Sequence, residues 1–196
     1  MFYLSVYTSI EGDIMNFEMV FKQVIQPFEE QGIQYGLIGG FALGVMGILR
    51  STIDIDFLIL VDDLEKAEKV LSSAMYSCIY KTENISQYSS SIKALGNIDI
   101  IHAFRHLSKE MLTRVQKFTV FDQYSVKVLS PEDIIGLKVQ AIANEPSRHA
   151  VDFQDMRLIL KYKNMNRQDI DWELLKDYFD LFNKQDLLIQ LRDEFL

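Results

Sequence analysis

Residues 35–61 read YGLIGGFALGVMGILRSTIDIDFLILV, and this stretch decides the fold. A short apolar strand over 34–38 (QYGLI) runs into Gly39-Gly40, a helix follows over roughly 41–49, and a second strand covers Ile53–Val61. Asp54 and Asp56 stand two apart on that strand. Strand side chains alternate, so both carboxylates leave one face, with Cβ atoms roughly 6–7 Å apart. Ile53, Ile55 and Phe57 take the other face into the core. Neighbouring carboxylates repel unless a cation sits between them. Mg²⁺ accepts one or two carboxylates together with phosphate oxygens. A lone Asp-x-Asp equally describes an edge strand with one face in water. Gly39 and Gly40 close a strand and open a helix, where the backbone can approach a ligand and free N–H groups can meet an anion such as a triphosphate. The same pair also suits a tight turn chosen for its backbone angles. Arg50, followed by Ser51 and Thr52, precedes the acidic strand, where it either neutralises phosphate, pairs with a carboxylate, or is a solvated loop arginine.

Outward from this stretch, Phe17, Val20, Phe21, Val24 and Phe28 mark an amphipathic helix over 14–31, ended by Gly32. A helix over 63–74 follows the acidic strand. The middle of the chain is β-rich, with strands at 76–81, 87–94, 97–103, 115–121 and 124–129 and a short helix over 106–113. From residue 130 the pattern is helical. Ser130 can cap, Pro131 suits a first turn, and Glu132 and Asp133 favour the positive end of the helix dipole. Further helices are expected over 147–163, 169–182 and 184–194. The fold class is therefore mixed α/β (α+β), an α/β core over residues 1–129 with a C-terminal helical lobe over 130–196. A cleft between the two is the expected ligand site.

Composition narrows the classes. The chain of 196 residues is 48% hydrophobic and 24% charged, as in ordinary globular proteins. Its single cysteine, Cys78, excludes an internal disulfide framework and fits a reducing cytoplasm. No signal peptide or membrane-crossing run is visible, so a soluble, cytoplasmic protein is expected. The formal net charge of −8 argues against a large nonspecific DNA-binding surface, though not against local contacts to a nucleotide or a tRNA end.

The order Gly39-Gly40, then Arg50-x-Thr52-x-Asp54-x-Asp56-Phe57, resembles the signature of the polymerase-β-like nucleotidyltransferase superfamily. More narrowly, it resembles the bacterial branch of abortive-infection-type toxin nucleotidyltransferases and their relatives. The resemblance implies a polymerase-β-like core with a mixed sheet, a glycine turn that holds the triphosphate, and two metal-binding acids on the next strand. It also implies a third acid from a later strand, and Asp99 in NIDIIHAF is the matching residue. Asp54, Asp56 and Asp99 are then both catalytic and metal-binding, the ion being Mg²⁺ or Mn²⁺. Asp99 could also act as a base toward the incoming hydroxyl. Relatives often carry a His after the glycines, where this chain has Met46.

The resemblance extends more loosely to Lys138, Arg148, Asp152 and Asp155. Lys138 shares a helix face with Ile134 and Ala141, so it either snorkels to the surface or reaches an anion in a cleft. Arg148, Asp152 and Asp155 share one face at i, i+4 and i+7, as a surface ion pair would also do. The expected nucleotide-binding set is Gly39, Gly40, Arg50, Thr52, Lys138 and Asp152. The implied reaction moves a nucleoside monophosphate from an NTP to a hydroxyl acceptor and releases pyrophosphate. The toxin-like resemblance favours tRNA or protein as acceptor and implies a cognate partner protein. Two other readings stand beside it: transfer to a small molecule of aminoglycoside or lincosamide type, and a non-catalytic nucleotide-binding member of a toxin–antitoxin pair.

Overall fold

The computed structural model describes residues 15–50, 52 and 54–196. Ile14, Ser51 and Ile53, which enter the expectations above, lie outside the described residues. The chain divides into two compact units, Met1–Leu129 and Ser130–Leu196.

In the first unit, the Asn16 side chain accepts the Met19 N–H at 3.0 Å and starts α1 (Phe17–Val20). The one helix expected over 14–31 is not uniform. It widens over Phe21–Ile25, where the Gln26 N–H reaches back five residues to the Phe21 carbonyl, and resumes as α2 (Gln26–Glu30). Pro27 supplies the reason, because it has no N–H with which to continue the ordinary spacing. Then come β1 (Tyr35–Ile38), α3 (Gly39–Val45), β2 (Asp54–Leu60), α4 (Leu64–Ser73), β3 (Tyr76–Lys81), β4 (Ile85–Ser90) and β5 (Asn97–Ala103). The unit ends with α5 (His106–Thr113), β6 (Gln116–Val120) and β7 (Tyr124–Val128). Several boundaries differ from expectation. Helix α3 begins on the glycines themselves rather than at residue 41. The strand expected over 87–94 starts at Ile85 and stops at Ser90, whose hydroxyl accepts the Ile92 N–H at 3.1 Å and turns the chain away.

The strands form a mixed sheet in the order β3-β4-β5-β2-β1-β7-β6. Strand β2 runs antiparallel to β1 and parallel to β5, while β1 runs parallel to β7. Helices α1 and α2 bury their apolar stripe. Phe28, Tyr35 and Phe57 meet edge to face or tilted with ring centroids 5.5–5.8 Å apart, and Phe17 stacks on Phe41 at 4.5 Å. The N-terminal aromatics thus pack the core, anchoring β2 from behind its acids.

The second unit holds α6 (Pro131–Asn144), α7 (His149–Met165), α8 (Trp172–Leu181) and α9 (Gln185–Phe195). Ser130 does cap α6, its hydroxyl accepting the Asp133 N–H at 3.2 Å. Asp133 is fully buried and accepts a hydrogen bond from the Tyr178 hydroxyl, and a Cβ on Gly136 would come within 2.7 Å of the Tyr178 ring. Glu132 and Lys163 form a second buried pair, with Glu132 also accepting the Asp171 N–H. Among the described residues, no helix is long and apolar enough to cross a membrane.

Removing the Phe57 ring should leave a cavity under β2. Phe57→Ala is expected to cost about 3–5 kcal/mol, read as a lowered urea unfolding midpoint.

Candidate active site

The site is built on two adjacent parallel strands. Their register sets Asp56 opposite Asp99 and Asp54 opposite Asn97. By side-chain alternation the three carboxylates share one face of the sheet. That face is half-buried at all three positions, whereas Ile55, Phe57, Ile98 and Ile100 are buried on the other.

Each carboxylate has its own neighbour. Asn97 donates to Asp54 Oδ1 at 3.1 Å. The Gln87 amide, opposite Asp99 on β4, donates to Asp99 Oδ1 and Oδ2 at 3.2 Å each. Asp56 leans toward the glycine turn: a Cβ on Gly39 would fall 1.9 Å from Asp56 Oδ2. Burial pushes the Asp99 carboxyl above its ordinary range; the Gln87 amide opposes this and the Asp54 charge adds to it. Among the described residues, no group of three or more His, Cys, Asp or Glu side chains is gathered as a ready-made metal cluster. The chemistry of the donor set nonetheless fits a hard divalent cation, because it offers only carboxylate oxygens from one half-exposed face.

The glycine turn and the loop before β2 are packed together. Gly39 has φ +69°, a left-handed conformation that suits glycine, and a Cβ on Gly40 would lie 2.8 Å from the Thr52 Cβ. The Thr52 hydroxyl donates to the Asp54 carbonyl at 3.0 Å, so it ties the loop to the first residue of β2. Arg50 is half-buried in the same loop, and Met46 is buried at the end of α3.

Lys138 and Asp152 lie in the second unit, where they pair with each other. Lys138 donates to Asp152 Oδ1 at 3.0 Å and to Asp155 Oδ2 at 2.7 Å, and Arg148 donates to Asp152 Oδ2 at 2.9 Å. The lysine side chain is 12% exposed and both aspartates are buried, so this part of the cluster is internal, while the Arg148 side chain is 52% exposed and reaches the surface. His102 is buried and held between the Ser86 hydroxyl and the Glu83 carbonyl, a structural role. Gln87 and Asn97 are the residues that sequence reasoning missed. Asn97 stands two before Asp99, which was a usable cue, but the pairing of Gln87 needs the β4–β5 register.

A family model described as nucleotidyl transferase AbiEii toxin, Type IV TA system, matches residues 96–196, just over half of the chain. The chain belongs to this family of nucleotidyltransferases. The match begins just before Asp99 and takes in the whole second unit, including Lys138, Arg148, Asp152 and Asp155. Among solved structures, the antibiotic-resistance factor ANT(2'')-Ia is similar at 10% identity and a TM-score of 0.64, over 92% of this chain and 99% of that one. The lincosamide antibiotic adenylyltransferase LnuA is similar at 14% identity and 0.53, over 76% and 98%. A candidate nucleotidyltransferase of Thermotoga maritima is similar at 13% identity and 0.54, over 75% and 99%. At such identities these likenesses speak for the fold, a polymerase-β-like nucleotidyltransferase core. None of the curated proteins matches the sequence.

Two substitutions probe the assembly. Gly39→Ala must adopt a left-handed backbone and displace the Asp56 carboxylate, and should cost about 1–3 kcal/mol of unfolding free energy in urea. Lys138→Met removes the buried cation that bridges Asp152 and Asp155, leaving two carboxylates with one cation, and should cost about 3–5 kcal/mol in the same assay.

Proposed function

We propose that this family member is a Mg²⁺- or Mn²⁺-dependent enzyme that transfers a nucleoside monophosphate from an NTP to a hydroxyl group of tRNA or protein, releasing pyrophosphate. The observation that carries the reading is the in-register set of Asp54, Asp56 and Asp99 on one sheet face, with Asp56 against the Gly39-Gly40 turn. A divalent cation held by these carboxylates would draw charge from the phosphate under attack and from the leaving pyrophosphate. The protein's own part is positioning and electrostatics, with no covalent intermediate. The Gly39-Gly40 turn, packed against Asp56 and Thr52, would offer backbone N–H groups to phosphate oxygens. Arg50 offers a cation beside the same turn, and Thr52 braces the loop that carries it. Lys138 and Asp152 enter the reading as a phosphate-binding lysine and the carboxylate that orients it.

The family match supports a toxin role, and with it a macromolecular acceptor and a cognate partner protein in the cytoplasm. A small-molecule acceptor is the second reading, favoured by the near-complete overlap with ANT(2'')-Ia, whose fold this chain shares along 92% of its length.

The test is transfer of label from each of four α-³²P NTPs, with Mg²⁺ or Mn²⁺, to total tRNA, cell-lysate protein, tobramycin or lincomycin. Label should enter tRNA or protein and fall to background with Asp54→Ala plus Asp56→Ala. Label confined to an antibiotic would replace the macromolecular reading with the small-molecule one. Absence of both transfer and NTP binding would remove the catalytic reading altogether.

A further inference from the structure

The proposal above makes Asp99 a metal ligand, and its surroundings bear on which metal. Strands β4 and β5 are antiparallel with Gln87 opposite Asp99, so both side chains stand on the same face. The Gln87 Nε2 lies 3.2 Å from Asp99 Oδ1 and 3.2 Å from Oδ2. One amide nitrogen therefore spans both oxygens and stands across the open edge of the carboxylate. That edge is where a cation chelated by both oxygens of a single carboxylate would sit. The contrast with Asp54 is informative, since Asn97 takes only its Oδ1.

Resting on the metal-site reading, we infer that Gln87 is a specificity-determining residue, which covers the chelating edge of Asp99, holds that carboxylate to single-oxygen ligation and so sets the site for Mg²⁺ over Ca²⁺. Mg²⁺ demands a small, near-octahedral shell and keeps several waters, which single-oxygen carboxylates suit. Ca²⁺ takes six to eight oxygens in looser geometry and readily accepts both oxygens of one carboxylate. Removing the amide opens a two-oxygen edge that serves Ca²⁺ far more than Mg²⁺. Gln87 also orients Asp99, as partners behind metal ligands commonly do. A purely structural cross-strand pair would change stability without changing the preference between two ions of equal charge.

The experiment is titration of the intact chain with Mn²⁺ alone, followed by its paramagnetic resonance signal, with Mg²⁺ and Ca²⁺ as competitors. The wild-type chain should bind Mn²⁺, and Asp54→Asn plus Asp56→Asn should abolish it. Gln87→Met, close in shape but without a donor, should raise the Ca²⁺-to-Mg²⁺ ratio of competition about tenfold. Gln87→Glu, which adds oxygens at the same place, should move the ratio the same way and stands in should Gln87→Met fail to give a wild-type circular dichroism spectrum. Mn²⁺ bound as in wild type, with the ratio unchanged in the folded variant, would overturn the role of Gln87 and leave the metal site standing. A wild-type chain that binds no Mn²⁺ would overturn both.

Discussion

The parallel pairing of β2 with β5 is the constraint on which the rest of the molecule depends. Because side chains alternate across a strand, a slip of one residue would send every side chain of β2 to the opposite face. The register that sets Asp56 opposite Asp99 is fixed from behind, by Ile55, Phe57, Ile98 and Ile100, none of them more than 1% exposed. Each such burial stabilises by about 1.5–3 kcal/mol. The repulsion opposing it, between half-exposed carboxylates, is about 1–4 kcal/mol for a pair at close range, depending on how much water reaches them. Several buried groups against a few partly screened repulsions leave the core in control, so the packing of one sheet face sets three carboxylates on the other.

The glycine turn is bound to the same constraint. Gly39 is occupied on its side-chain side by Asp56, and Gly40 by Thr52, while Thr52 hydrogen-bonds the backbone where β2 begins. The turn at the end of β1 and the loop entering β2 therefore form one packed piece, and β1 and β2 are themselves paired with Ile38 opposite Asp56. A side chain on either glycine would act on the carboxylate strand before it acted on any ligand. The left-handed φ at Gly39 is one reason for glycine, and the nearness of Asp56 is a second, independent one.

Much of this was legible in the sequence, for identifiable reasons. The alternation in Ile-Asp-Ile-Asp-Phe announces one buried and one polar face, and the same alternation around Asp99 marks a second strand of the same kind. The cap at Ser130 and the i, i+4 spacing of Arg148 and Asp152 are local signals, and both are realised as hydrogen bonds, while Asp155 accepts from Lys138 of α6. What escaped depends on pairing between distant segments. Gln87 meets Asp99 only through the β4–β5 register, and a polar residue on a half-exposed strand face carries no mark of its partner. The widened turn before Pro27 escaped for a different reason: the apolar stripe of Phe17, Phe21 and Phe28 continues through it, so hydrophobic spacing hides the change in backbone hydrogen bonding. The family match is complementary to the local motif, since it begins at residue 96 and leaves the glycine turn and the Asp54-Asp56 pair to be argued from their own geometry.

The helical unit shows how buried charge is made tolerable in an acidic chain. Asp152 and Asp155 are 1% and 4% exposed, and unpaired carboxylates at such depth would be strongly disfavoured. Lys138 and Arg148 balance them one for one, and Glu132 is balanced by Lys163 in the same way. A lysine has three N–H donors, and here two of them point at two different carboxylates 3.0 and 2.7 Å away. This fixes the direction of the third, which a mobile surface lysine could not do. The two cations and two carboxylates of the cluster leave it electrically balanced.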